Sequence, residues 1–133
     1  MLVPTICFQD NCDEAIAFYK EAVGAEVKNV NYLRDAPQDI AMEGFTSPNH
    51  VLNSEVVIYG TSIAMLDGAD KPITGEYFTL TLFVDSAEEA ASVFNKLADG
   101  GRIIEALAPQ FWAALCGDVE DKFGVNWHIC TKE

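Results

Sequence analysis

His128 and Glu55 are the side chains of this sequence best suited to proton or ligand chemistry, because each interrupts an otherwise apolar, alternating segment. In residues 125–131, Val125, Trp127 and Ile129 fall on one face of an extended strand and Asn126, His128 and Cys130 on the other. An imidazole on such a face can polarise or deprotonate a bound molecule near neutral pH, or serve only as a hydrogen-bonded structural group. Glu55 sits with Asn53 and Val57 on one face of residues 51–59, where a carboxylate can act as a general base, pair with a cationic ligand, or stay solvated. Phe111 and Trp112 precede another strand, and one of the two rings is expected to point inward, into the core or as a wall of a ligand pocket. His50, after Pro48-Asn49, reads as a surface loop residue or part of a lid. No Ser/His/Asp order, phosphate-cradling glycine loop or HExxH helix is present, so hydrolase, nucleotide-binding and zincin chemistry lack support.

Cys7, Cys12, Cys116 and Cys130 lack CxxC spacing, and the first residues show neither a basic leader nor a long apolar run, so a reducing, cytoplasmic setting and four free thiols are expected. Only Cys130, two residues after His128, has a histidine close in sequence. A net charge of −13 repels phosphate backbones, which argues against nucleic acid and leaves a cationic small molecule as the charged partner to consider. Nowhere do 18 apolar residues run together, so no membrane span is expected.

These groups need a scaffold, and the spacing predicts one. Residues 3–8 read as a strand; Asn11 and Glu14 form a capping-box pattern; Ala15, Ile16, Tyr19, Ala22 and Val23 then recur at helical spacing until Gly24. The pattern returns 75 residues later: a strand over 77–84, Ser86 with Glu89, and Ala90, Val93, Phe94 and Leu97 before Gly100. On that shift Phe8 matches Phe83, Ala15 matches Ala90 and Tyr19 matches Phe94. Strands are expected after each helix, at 26–32, 52–59 and 62–66, then at 102–106, 111–116 and 125–131, with turns at Gly60-Thr61 and Asp121-Lys-Phe-Gly124 and a long loop over 34–49. The fold class is α+β: two βαβββ modules, about 1–68 and 75–133, within a single 133-residue domain.

Asn11-Cys-Asp-Glu-Ala-Ile-Ala-Phe-Tyr-Lys20 with Gly24, Arg34-Asp-Ala-Pro37, residues 55–60, Phe111-Trp112, Gly117 and Asp121-Lys-Phe-Gly-Val-Asn-Trp127 together resemble the PhnB-like branch of the vicinal oxygen chelate superfamily, which includes glyoxalase I, bleomycin resistance proteins and extradiol dioxygenases. The resemblance implies that the modules curl into half-barrels around a small-molecule cavity and that the protein forms a homodimer. It also implies a place to look for a metal, since metal-dependent members carry His, Gln or Glu on the first and last strands of each module. Aligned to the landmarks, those positions fall at about Pro4, Met65, Thr79 and His128, and a slip of one or two residues brings in Thr5 or Glu55. Only His128 is a good ligand for a hard divalent ion, so no metal ligand is assigned, although a divalent metal on an altered set stays open.

Two functions follow. One is a binding protein for an apolar or cationic small molecule, with Phe111, Trp112, Thr79, His128 and Glu55 as the ligand-contacting residues and no cofactor. The other is a lyase, isomerase or dioxygenase-type enzyme with an altered metal or acid/base site, its catalytic candidates being His128 and Glu55. Whether the protein is an enzyme is open at this point. A demethylubiquinone methyltransferase, a name sometimes attached to this branch, lacks the glycine-rich methyl-donor loop it would need.

Overall fold

A computed structural model describes residues 1–37 and 45–132. The chain divides into two compact units, Met1–Pro72 and Ile73–Glu133. The first contains β1 (Thr5–Cys7), α1 (Cys12–Val23), β2 (Glu26–Tyr32), β3 (Val51–Ile58) and β4 (Thr61–Leu66). The second repeats the series as β5 (Leu80–Val84), α2 (Ala87–Ala98), β6 (Arg102–Gln110), β7 (Ala113–Glu120) and β8 (Asn126–Thr131). Their sheets have the same topology, β1-β4-β3-β2 and β5-β8-β7-β6, with the first strand parallel to the last and the other pairs antiparallel. The α+β class and the βαβββ repeat are thus present as expected. Among the described residues no helix is long and apolar enough to cross a membrane.

Each helix buries one stripe. In α1 it is Cys12, Ala15, Ile16, Tyr19, Ala22 and Val23, and in α2 it is Ala90, Val93, Phe94 and Leu97. The sheets meet these stripes with alternate residues, Val56, Ile58, Ile63 and Met65 in the first unit and Leu82, Val84, Val119, Trp127 and Ile129 in the second. Gly117 lies on this side of β7, where a Cβ would come 2.9 Å from Phe94 Cε2. The opposite face of each sheet is left for other work.

The helix ends are held differently. Ser86 Oγ accepts the Glu89 N–H at 3.1 Å, and the Glu89 carboxylate accepts the Asp85 N–H at 3.2 Å, nearly the capping box expected. Asn11 makes no side-chain cap bond. The first amide of α1, on Cys12, instead donates at 2.9 Å to Oδ1 of buried Asp67, whose Oδ2 accepts the Val51 N–H at 2.8 Å. One carboxylate from beyond β4 therefore ties the start of α1 to the start of β3. Gly24 ends α1 with φ of 64°, a left-handed cap that its lack of Cβ permits.

Several boundaries move. The β3–β4 turn is Tyr59-Gly60, both at positive φ, with Thr61 already in the strand. β5 starts at Leu80 rather than at 77, and β6 runs on to Gln110. Pro109 within β6 is tolerated because β6 is an edge strand, where an amide can go without a ladder partner. Of the expected loop over 34–49, residues 38–44 lie outside the described residues; a 3-10 turn covers Leu33–Asp35, and the His50 N–H donates to Ser47 O at 3.0 Å.

The repeat distance is 75 in the helices but 76 in the leading strands. Phe8 is buried and its counterpart is buried Val84, whereas Phe83 is 57% exposed on the other face. The strand-to-cap segment is one residue shorter in the second unit, and one residue in a strand reverses every side chain. The match of Phe8 with Phe83 is therefore corrected. Thr5 opposite Ala64 corresponds to Thr81 opposite His128, and Ile6 opposite Met65 to Leu82 opposite Ile129.

Candidate functional site

The turn at Asp121–Gly124 sets the register of the second sheet. Asp121 Oδ1 accepts the N–H groups of Phe123 (2.9 Å) and Val125 (3.1 Å), and its Oδ2 accepts the Trp127 indole N–H at 2.9 Å. With the turn so fixed, β7 and β8 pair Cys116 with Cys130, Asp118 with His128 and Glu120 with Asn126. These three pairs occupy the face turned away from Gly117, Trp127 and Ile129, since side chains alternate along each strand.

On that face His128 Nδ1 lies 2.5 Å from Asp118 Oδ1, and His128 Nε2 lies 3.0 Å from Cys130 Sγ. Asp118 accepts only, so Nδ1 carries a proton, and in the neutral ring Nε2 presents its lone pair. A carboxylate that fixes the tautomer of a half-buried imidazole is the arrangement of an oriented base or ligand. Cys116 and Cys130 form a disulfide with Cα atoms 4.3 Å apart, the closer spacing of an antiparallel pair. The expectation of free thiols fails for these two, because neither sequence distance nor the lack of CxxC spacing shows that they stand directly across a ladder. Cys7 and Cys12 are free, and burial, reinforced by Asp67, raises the pKa of both.

The other expected site residues are scattered. Thr81, rather than Thr79, is opposite His128; Thr79 precedes β5 and is exposed. The segment before β5 is held by Asn126, whose Nδ2 donates to Gly75 O at 2.7 Å and Phe78 O at 3.3 Å. Phe111 and Trp112 form the β6–β7 turn, stacked edge to face at 4.7 Å and exposed by 96% and 59%. Neither ring enters the core, contrary to expectation: the strand begins after them, at Ala113. Glu55 belongs to the first unit, on the exposed face of β3, and accepts the Ser62 hydroxyl at 2.7 Å. His50 Nδ1 accepts the N–H groups of Thr46 and Ser47 at 3.2 and 3.4 Å, a turn-forming role.

Met65, taken as a face position, is fully buried beside α1, and the half-buried Pro4 offers no donor. Within each unit the ladder pairs the first strand with the last, Thr5 with Ala64 in the first and Thr81 with His128 in the second. A hydroxyl opposite a methyl group in the first unit, and a hydroxyl opposite one imidazole in the second, each make a poor set for a hard divalent ion that needs several oxygen or nitrogen ligands.

Asp118 and Cys116 were not singled out from the sequence, yet a signal exists. The residue numbers of each pair, 116 with 130, 118 with 128 and 120 with 126, are symmetric about Phe123. A hairpin centred on Phe123, with Asp121 opposite Val125, predicts all three pairs.

Two βαβββ units of this topology define a protein of the glyoxalase-like fold, in the vicinal oxygen chelate superfamily. The chain belongs to the PhnB-like family described as 3-demethylubiquinone-9 3-methyltransferase, whose profile matches residues 1–130. It is 35% identical over 136 residues to Protein YjdN of Escherichia coli (strain K12), covering 96% of this chain and 92% of that one. Its structure is similar to that of protein PA1353 from Pseudomonas aeruginosa, at 28% identity and a TM-score of 0.83 over 99% and 97% of the two chains. It shares its fold with a putative 3-demethylubiquinone-9 3-methyltransferase, PhnB protein, from Bacillus cereus, at 20% identity and a TM-score of 0.81 over 98% of both. The strand-to-helix turns, Phe8-Gln9-Asp10-Asn11 and Asp85-Ser86, contain no glycine, and neither sheet is a doubly wound parallel one.

Proposed function

We propose that this chain is a small-molecule-binding protein of the glyoxalase/bleomycin resistance superfamily that works without the superfamily's usual metal centre. The observation that carries this reading is the pairing of first and last strands within each unit, Thr5 with Ala64 and Thr81 with His128, in which His128 alone is a strong ligand. The binding group is His128, held by Asp118, on the open face of the second sheet. The acidic surface, at a net charge of −13, favours an apolar or cationic organic molecule over an anion. Phe111, Trp112 and Thr79 supply contact surface at the edges of that unit, and Glu55 is an anionic contact on the first. The protein works as a cytoplasmic homodimer, a reading supported by its likeness to the superfamily; sedimentation velocity at twice 14.5 kDa tests the dimer.

The test is a thermal-shift and calorimetric screen of aromatic cations, neutral aromatics and matched anions, run with a chelator present. Binding of a cationic or neutral member by the wild type, weakened about tenfold in His128→Ala by loss of a charge-assisted contact, is the expected result. Binding that appears only on addition of Mn²⁺ or Ni²⁺ overturns it. The Asp118–His128 pair favours one second reading, a metal-free lyase or isomerase in which His128 moves the proton; turnover in chelator that is abolished by His128→Ala and falls in Asp118→Asn marks that case.

A further inference from the structure

Among the described residues, one group of three metal-ligating side chains gathers its donor atoms within 4.8 Å of one another: Cys116, His128 and Cys130. We propose that reduction of the Cys116–Cys130 disulfide converts this corner of the second sheet into a three-ligand site for a thiophilic divalent cation, zinc above all. The inference goes beyond the binding reading, which concerns organic ligands: it shares His128 and Asp118 with that reading and adds the two cysteine sulfurs.

The geometry supplies what such a site needs. Cys116 and Cys130 are opposite each other on adjacent strands, and His128 is two residues along β8 on the same face, so three ligands come from one rigid hairpin. Nε2 is 3.0 Å from Cys130 Sγ and carries the free lone pair, because Nδ1–H donates to Asp118. That is the carboxylate–histidine arrangement that orients imidazole toward a metal. Both cysteines are almost wholly buried, and paired thiolates in such surroundings need a counter-cation. His128 is half exposed, which leaves the fourth position of a tetrahedral ion open toward solvent or ligand. A disulfide that merely stapled the hairpin would need neither the histidine nor the aspartate.

The steps balance. Two equivalents of a small thiol break the Cys116–Cys130 bond by exchange: two electrons pass to the protein sulfurs, two protons follow, and the small thiol leaves as its own disulfide. The freed sulfurs can then separate to the ~3.7 Å that two Zn–S bonds of about 2.3 Å span at a tetrahedral centre. Zinc entry displaces the two thiol protons to solvent and leaves His128 neutral. Oxidation by a disulfide or peroxide would reverse the sequence and expel the ion.

The experiment titrates Co²⁺, then Zn²⁺, into the full chain after phosphine reduction and removal of the reductant without oxygen, beside the oxidised chain. One Co²⁺ per chain with a thiolate-to-metal charge-transfer band, displaced by one Zn²⁺, is expected in the reduced protein and no such band in the oxidised one. Cys116→Ser and Cys130→Ser should each weaken Zn²⁺ at least 100-fold, and Asp118→Asn by about 10–100-fold, with far-UV circular dichroism confirming that each is folded. Absence of the charge-transfer band in reduced wild type, equal uptake by the oxidised chain, or unchanged affinity in both serine variants overturns the proposal. Organic-ligand binding is measured on the oxidised chain in chelator, so either reading can fail without the other.

Discussion

Replacing Asp121 with alanine should remove about 4 kcal/mol of stability, and the structure says where that number comes from. The carboxylate accepts three N–H groups, two from the backbone of its own turn and one from the indole of fully buried Trp127. A hydrogen bond to a charged acceptor contributes about 1.5–3 kcal/mol, and three on one group add less than their sum. Leaving the indole donor unpaired in the core costs about 1–3 kcal/mol by itself. Asp121→Asn separates these effects: the amide oxygen can keep both backbone donors, but its NH₂ then faces the indole N–H, donor against donor, for a loss of about 2 kcal/mol. Trp127→Phe removes that donor, so a cycle of Asp121→Asn with Trp127→Phe should show a coupling of about 1.5 kcal/mol. Urea unfolding of the four proteins, followed by far-UV circular dichroism with an unchanged m-value, measures all of this. A cost below about 1 kcal/mol for Asp121→Ala, or a coupling of zero, would refute the view that this carboxylate sets the β7–β8 register.

The two helix starts should respond to cap removal to different degrees. Ser86→Ala is expected to cost about 1 kcal/mol and Asn11→Ala less than about 0.5, while Asp67→Ala, which frees two buried amides at once, costs about 3; thermal or urea unfolding compares the three. Burial, and then the neighbouring Asp67, raises the Cys12 pKa above its ordinary 9.0, so the folded chain keeps a proton there that the unfolded chain releases. Its contribution is whole below pH 9 and is lost as pH rises toward the folded pKa, by at most about 1.4 kcal/mol per pH unit. The unfolding free energy measured between pH 9 and 10 should therefore fall more steeply in the wild type than in Cys12→Ala, and equal slopes would contradict the assignment.

What was legible in the sequence was whatever repeats locally. The stripe Ala15, Ile16, Tyr19, Ala22, Val23 and its echo Ala90, Val93, Phe94, Leu97 locate both helices, though α2 ends at Ala98, short of Gly100, because burial at helical spacing is written in consecutive turns. The alternation around Glu55 likewise places it with Asn53 on the exposed side of β3. Face assignment in β1 and β5 was not legible: a single deleted residue between strand and cap changes the repeat from 75 to 76, and helix spacing carries no trace of it. Asp67 was invisible for another reason, since a cap supplied from 55 residues away leaves no local pattern. The partners of His128 were hidden by one residue: the turn expected at Asp121–Gly124 would set Gly117 opposite His128, whereas the loop closes at Asp121 and Val125 and brings Asp118 there.

The same register explains why the acid–imidazole pair occurs in one unit. Glu55 faces Ala64 in the first sheet as Asp118 faces His128 in the second, so the two acids occupy the same place in the repeat. Opposite a methyl group, Glu55 turns to the Ser62 hydroxyl and its carboxylate is used in a surface hydrogen bond. Opposite an imidazole, Asp118 fixes a tautomer and aims a lone pair at a sulfur. The helix-facing sides of the two sheets have stayed alike because both must cover an apolar helical stripe. On the faces turned away from the helices, alanine at 64 against histidine at 128 separates a carboxylate bonded to a serine hydroxyl from one bonded to an imidazole.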